Sequence, residues 1–490
     1  MSKFLDLEPK LTFDDVSTVP GHSFFLPKEA NLHTHLIDDV YLNMPILSAA
    51  MDRVTEHQMA IAMARWGGLG VLHKNMSLEA QVKEVVLTKR ADSAFVLEPV
   101  TVRPEATLRE ATERMRERNV SGLMVVSSEG RLEGVLTQRD VLLQDLSKPV
   151  RSRMTAKDLT VGRPGISAEE AKNLMLDQRV ERLPIVEDNK LVGLATLRNI
   201  LEQGDPDVKT VDEDGNLRVA AAIGVGKLGL EQAEALLSVG CDVLVVDTAH
   251  GHAQSVIKTV RELRNLYKEA RVMAGNVTTR AATRALTDAG ATAVKVGQGP
   301  GSICTTRVVA GTGIPQISAI LDCVRDLNKI PKDAAQYGVS LPRNTVVADG
   351  GIRTSGDIVK ALVAGANCVM LGMLLAGTKE SPGQLIREGD RTYKAYRGMG
   401  SISAMKEGSK SRYFQEGVAS DKLVAEGVEG KVPYKGSVGK VLEQLIGGIQ
   451  SGMGYVGCQT IPKLHSDAKL IRVTNAGLTE SHPHDIFFNR

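Results

Sequence analysis

A single cysteine in a glycine-rich loop is the first place in this chain where chemistry could happen. The loop runs Val296-Gly297-Gln298-Gly299-Pro300-Gly301-Ser302-Ile303-Cys304-Thr305-Thr306. Glycines at alternate positions let the backbone bend sharply and let a ligand approach the main chain. Such a loop can offer N–H groups to a phosphate or C=O groups to a cation, and the thiol of Cys304 can act as a nucleophile. A free cysteine is equally at home as a small core residue, so the loop alone leaves both readings open. Further groups of the right type close the neighbouring apolar runs. Asp247 ends Val243-Leu-Val-Val, Asn276 ends Val272-Met-Ala-Gly, and Gly372 ends Cys368-Val-Met-Leu. Asp349 ends Thr345-Val-Val-Ala and is followed by Gly350 and Gly351. A carboxylate can accept hydrogen bonds from the paired hydroxyls of a ribose, and glycine turns can turn N–H groups onto a phosphate. Either aspartate could instead cap the helix that follows; beside two glycines, the binding reading is favoured for Asp349.

Composition narrows the classes these groups can serve. The chain has 490 residues, enough for a large core and more than one domain. A formal net charge of +2, with both signs spread along the chain, argues against nucleic acid held by a basic footprint. Five cysteines without a C-x-x-C pair speak against a disulfide framework or a zinc ribbon. The first residues lack the apolar run of a signal peptide. Ala361 to Leu375, the most apolar window, is broken by Gly365, Asn367 and Gly372 and does not read as a membrane span. A soluble cytoplasmic protein is expected.

The elements that must position these groups alternate strand and helix. Pro45 to Met51 reads as a buried strand, Glu56 to Arg65 as a helix, and Leu69 to His73 as the next strand. The pattern resumes with the five apolar runs at 243–247, 272–276, 293–297, 345–351 and 368–372. Helices are expected between most of them, at 253–268 and 281–289 for instance. Functional groups gathered at strand ends are what a (β/α)8 barrel predicts, since its strands deliver their C-terminal ends to one face.

From about residue 92 to 203 the texture changes and the chain repeats itself. Arg131 to Leu142 lies over Lys190 to Leu201 at one constant offset, matching Gly134 with Gly193, Thr137 with Thr196 and Arg139 with Arg198. Two such units side by side would bury each other's apolar faces. They resemble tandem cystathionine-β-synthase-type (CBS) modules, at about 92–150 and 151–203, which bind adenine or guanine nucleotides in many families. Thr137 and Asp140 match the ribose-holding position of such modules; Asn199 stands where the second copy would need an aspartate. A purely structural insert is the alternative. The barrel would then comprise residues 1–91 and 204–490, with a polar linker over Glu202–Asp214.

Four stretches in this order resemble the IMP dehydrogenase / GMP reductase family in its bacterial dehydrogenase form. They are the cysteine loop, Asp349-Gly-Gly351, Tyr396-Arg-Gly-Met-Gly-Ser401 and Arg412-Tyr-Phe-Gln415. The likeness implies NAD-dependent oxidation of IMP, committing purine flux to guanine nucleotides, with Cys304 as the nucleophile of a covalent thioimidate. It implies that Ser302, Asp349, Gly350, Gly351, Gly372, Met373, Tyr396, Arg397, Gly398, Met399, Gly400 and Glu426 surround IMP. Asp247, Asn276, Gly297, Gln298 and Gly299 would face NAD. Water activation falls to Arg412 with Tyr413, on a flap expected at about 401–432, and a Thr306–Glu426 relay supports it. Guanidinium is an awkward base, being almost never neutral in proteins. The resemblance also implies a potassium ion held by carbonyls of Gly299, Gly301 and Cys304 with Glu480, Ser481 and His482 of a neighbouring subunit, and hence a homotetramer at least, an octamer being left open. ATP or another purine nucleotide would bind the CBS pair. Three departures stand out: Met373 where the family has a phosphate-binding serine, Ala249 for a common serine, and a longer stretch at 329–344. The rival readings are a GMP reductase, which lacks the Arg-Tyr pair and normally the insert, and a non-catalytic nucleotide sensor.

Overall fold

The computed structural model describes residues 8–92, 95–96, 99–118, 120–197, 200, 205, 207–325, 327, 344–484 and 486. Arg198, Asn199 and the long stretch at 329–343 lie outside the described residues. The chain divides into two compact units, Met1–Lys89 with Asp207–Arg490, and Arg90–Pro206.

The larger unit is a closed barrel of eight parallel strands. They are β1 (Ile46–Ser48), β2 (Leu69–Leu72), β3 (Ala220–Ile223), β4 (Val243–Asp247), β5 (Val272–Val277), β6 (Ala293–Val296), β7 (Thr345–Asp349) and β8 (Cys368–Leu371). Helices follow the strands: α1 (His57–Arg65), α2 (Leu78–Lys89), α3 (Gly226–Ser238), α4 (Gln254–Leu266), α5 (Arg280–Asp288), α6 (Gln316–Val324), α7 (Ser355–Val363) and, after a longer excursion, α8 (Val438–Val456). β3 is the strand that sequence reading passed over. Ala-Ala-Ala-Ile carries little strand preference, and only its pairing with β2 and β4 makes it one.

Alternation along the strands sorts the side chains into two layers. Leu47, Val71, Ala220, Val245, Ala293, Val347 and Met370 point into the barrel. Ile46, Leu72, Ala221, Leu244, Val294, Val346 and Val369 point out against the helices. Two residues beyond Val245, Ala293 and Val347, on the same inward face, stand Asp247, Lys295 and Asp349. The hydrophobic interior therefore ends in a charged layer at the strands' C-terminal mouth. At the other end a hairpin, Thr34–Ile37 with Val40–Leu42, plugs the barrel with Leu36, Ile37 and Leu42.

A three-stranded antiparallel sheet, Leu385–Glu388, Arg391–Arg397 and Glu429–Pro433, follows β8. The segment between its last two strands covers the mouth. It carries more local structure than its Lys-, Gly- and Ser-rich composition suggests. Ser401 caps a helix, Ile402–Glu407, by accepting from Ala404 N, and a 3-10 turn spans Ser409–Tyr413. Of the flap expected at about 401–432, residues 429–432 belong to the sheet.

In the smaller unit, Gly122–Val126 pairs antiparallel with Leu132–Thr137, and Arg182–Glu187 with Lys190–Thr196. Each pair follows a helix with a Thr or Ser capping box, Leu108–Glu117 and Ala168–Asp177, so the sequence repeat is a structural repeat. Thr137 N and Oγ1 both donate to Asp140 Oδ2, at 2.7 Å each. No described helix is long and apolar enough to cross a membrane.

Candidate active site

Cys304 sits in the loop after β6, half-buried at the barrel mouth. Its thiol donates to Thr306 Oγ1 at 3.1 Å, and Thr306 Oγ1 donates to Glu426 Oε2 at 2.8 Å. Glu426 reaches this position because the covering segment pairs with the cysteine loop: Thr305 N donates to Glu426 O, and Val428 N to Ile303 O. Gly297 lets β6 enter the loop at φ 143°, where a β-carbon would collide with the carbonyl of Asp349.

The charged layer lies beneath. Lys295 is 1% exposed; its Nζ is 2.9 Å from Asp247 Oδ1 and 2.7 Å from Asp349 Oδ2, and it also donates to Asn276 Oδ1. Asn276 Nδ2 donates to Gly297 O at 2.7 Å and Asp349 Oδ2 at 2.9 Å. From above, Arg412 forms an ion pair with Asp247 Oδ2, and its carbonyl accepts from Ala249 N at 2.9 Å. Two acids thus face two bases in a site shielded from water. Lys295 escaped sequence reading, although a lysine inside the otherwise apolar run Ala-Val-Lys-Val was the available signal: such a group needs buried partners.

One cavity brings most of the expected residues together. It is lined by Asp247, Asn276, Lys295, Gly297, Gly299, Gly301, Ser302, Cys304, Asp349, Gly350, Gly351, Gly372, Met373, Tyr396, Gly398, Met399, Arg412, Tyr413 and Glu426. Gly350 and Gly351 adopt left-handed conformations against Pro300. Burial raises the Tyr396 phenol above its usual range, a hydrogen bond with Ser302 opposing; burial raises Tyr413 likewise. Met373 begins a one-turn helix at the glycine-rich end and presents a thioether where a hydroxyl was expected. Gln298 faces elsewhere: it accepts from Thr278 Oγ1 at 2.9 Å and donates to Ala249 O at 3.0 Å.

Arg397 and Gly400 are not among the cavity's lining residues. The Arg397 guanidinium is bound by Asp52 and by Glu407, with Ser403 Oγ at 2.9 Å, so it ties the covering segment's first helix to the loop after β1. Arg397→Met would leave Asp52, 5% exposed, without its charge partner. Unpaired buried charges cost about 3–5 kcal/mol, and denaturant unfolding is expected to register a loss of that order.

The cysteine loop offers main-chain oxygens as its donor set for a cation. Gly301 O accepts Cys304 N–H at 3.1 Å and keeps a second lone pair, while Arg307 takes up the carbonyls of Gln298 and Ile314. Main-chain oxygens suit a hard monovalent ion. Among the described residues no cluster of His, Cys, Asp and Glu suits a transition metal. Glu480 ends the helix Asn475–Glu480, and Ser481 and His482 form the turn after it; all three are exposed and none lines the cavity.

A family model described as the IMP dehydrogenase / GMP reductase domain matches residues 10–484. The chain belongs to this family. It is 48% identical over 482 residues to the inosine-5′-monophosphate dehydrogenase of Helicobacter pylori, covering 98% of this chain and 97% of that one. To the Escherichia coli K12 enzyme of the same name it is 47% identical over 479 residues, with 97% and 96% covered. Among solved structures, a cysteine-to-alanine variant of GMP reductase from Trypanosoma brucei, in complex with guanosine 5′-monophosphate, matches with a TM-score of 0.84 and 40% identity. That match covers 99% of this chain and 100% of the reductase. Residues 92–203 therefore do not separate the two activities within the family, contrary to the insert's usual absence from reductases. The separation has to come from the residues at the barrel mouth.

Proposed function

We propose that this chain oxidises IMP to xanthosine 5′-monophosphate with NAD+, at the entry to guanine nucleotide synthesis in the cytoplasm. The observation that carries the reading is one cavity holding both a nucleophile, Cys304, and two means of activating water, Arg412 with Tyr413 and Glu426 through Thr306. A reductase releases ammonia and has no water step, so Arg412 with Tyr413 would have no task in it.

In this reading the purine lies over the cysteine loop, its phosphate toward Gly350, Gly351 and Gly372 and its ribose on Asp349. The Cys304 sulfur adds to C2 of the hypoxanthine ring, its proton passing along Thr306 to Glu426. Asp247 and Asn276 would hold NAD+, which would supply the acceptor for the hydride leaving C2. The resulting thioimidate joins enzyme and purine. Water, deprotonated at Arg412 or through Thr306 and Glu426, adds to C2; the C–S bond breaks and the thiol is regenerated. Lys295 neutralises Asp247 and Asp349 and fixes both carboxylates. A potassium ion would be held by the carbonyls of Gly299, Gly301 and Cys304, with Glu480, Ser481 and His482 supplied by a neighbouring copy, where it would keep the loop in shape. The assembly would then be a tetramer or larger. Residues 92–203 are read as a CBS pair for ATP or another purine nucleotide; Asp140, engaged by Thr137, is the residue to which a ribose would turn.

The test is NADH absorbance with IMP, NAD+ and potassium, against NADPH consumption with GMP. Robust NADH formation and no GMP-dependent NADPH oxidation are expected; the reverse would make the chain a reductase. Binding of ATP alone to residues 90–206, with neither activity, would favour the sensor.

A further inference from the structure

Lys74 has no part in the chemistry above. It lies two residues beyond β2, on the rim where the strands end. Its stem is partly exposed, but its Nζ is closed off from solvent and has no hydrogen-bond partner. The charged groups that act on it come from the covering segment: Arg412, of like sign, and Glu416. On the other side is the loop after β3, where a β-carbon on Gly224 would stand 3.6 Å from Nζ. Its chain neighbours are turned elsewhere, with His73 Nε2 3.6 Å from Glu56 and Asn75 Nδ2 donating to Asp52 at 2.8 Å. An ammonium here would have no acceptor and a guanidinium for company, both unfavourable.

We propose that Lys74 is a positioning residue for the covering segment: the segment seats Arg412 on Asp247 with Lys74 neutral, and seating expels one proton from Lys74. The use of this step rests on the function proposed above, in which Asp247 would hold the cofactor and Arg412 activates water. Burial, and then Arg412, lower the ammonium from 10.5 to about 7, with Glu416 opposing. With the segment withdrawn, Nζ meets water and returns toward 10.5. Between these values the seated form binds one proton fewer, so seating gains about tenfold per pH unit. Below about 7, Lys74 is charged in both forms and the dependence flattens.

Amide hydrogen exchange of residues 409–416, corrected for intrinsic rates, reads seating directly. From pH ~7 to ~9, wild-type protection is expected to rise about tenfold per unit. Lys74→Met and Lys74→Gln should be protected throughout with no slope, and Lys74→Arg, always charged, should be weakly protected and flat. A wild-type slope retained in both neutral variants, or full protection in Lys74→Arg, would overturn the proposal. The readout needs no turnover, so failure to oxidise IMP would count against the proposed function and leave this result standing.

Discussion

Cys304→Ala is expected to abolish NADH formation from IMP, by a factor of ~10⁴ or more, because removing the attacking atom leaves only binding and positioning to act on the substrate. The effect should be confined to chemistry. Cys304 is half-buried and its sulfur makes one weak hydrogen bond, to Thr306 at 3.1 Å, so unfolding should shift by no more than about 1 kcal/mol. Alkylation supplies a second, independent reading. Burial pushes the Cys241 and Cys323 thiols up to about 12 and Cys368 higher still, which keeps them unreactive. Iodoacetamide at neutral pH should therefore modify Cys304 first, with loss of activity in step, and IMP should slow it. Activity that survives in Cys304→Ala, or inactivation without label at Cys304, would remove the thioimidate from the mechanism.

What could be read from the sequence depended on whether a residue's role is local. The strands ending in Asp247 and Asp349 announced themselves because runs of Val and Leu between polar segments have few other uses. Their acids fell on the inward face because alternation carries them there. β3 did not announce itself, since four small residues become a strand only between β2 and β4. Lys295 was in plain view, yet its importance lies in three partners from three other strands, and no spacing in the chain reports that. Arg397 shows the opposite failure. It sits among residues that do line the cavity, but strand alternation turns its side chain to the far side, onto Asp52 and Glu407. Glu426 was placed by family resemblance alone; what fixes it physically is backbone pairing between the covering segment and the cysteine loop, a contact across more than a hundred residues.

Arg412→Gln is expected to separate the two halves of the reaction. Turnover should fall by ~10²–10⁴, the usual worth of a positioned acid–base group, while the first equivalent of NADH still forms in a rapid burst. The reason is spatial. Arg412 touches Asp247 and Ala249, on the side assigned to the cofactor, whereas Cys304 transfers its proton toward Thr306 and Glu426. Removing the guanidinium therefore leaves attack on C2 and hydride departure intact and strands the thioimidate. Enzyme carrying the covalent purine should accumulate and be visible by intact-mass measurement. Thr306→Val breaks the other route, and its effect should fall on the burst as well, because the same hydroxyl receives the thiol's proton. If the Thr306–Glu426 relay can also activate water, turnover in Arg412→Gln will persist at the lower level and vanish in the double variant. A burst lost together with turnover in Arg412→Gln would show that the guanidinium acts before hydride transfer, and would return it to a binding role.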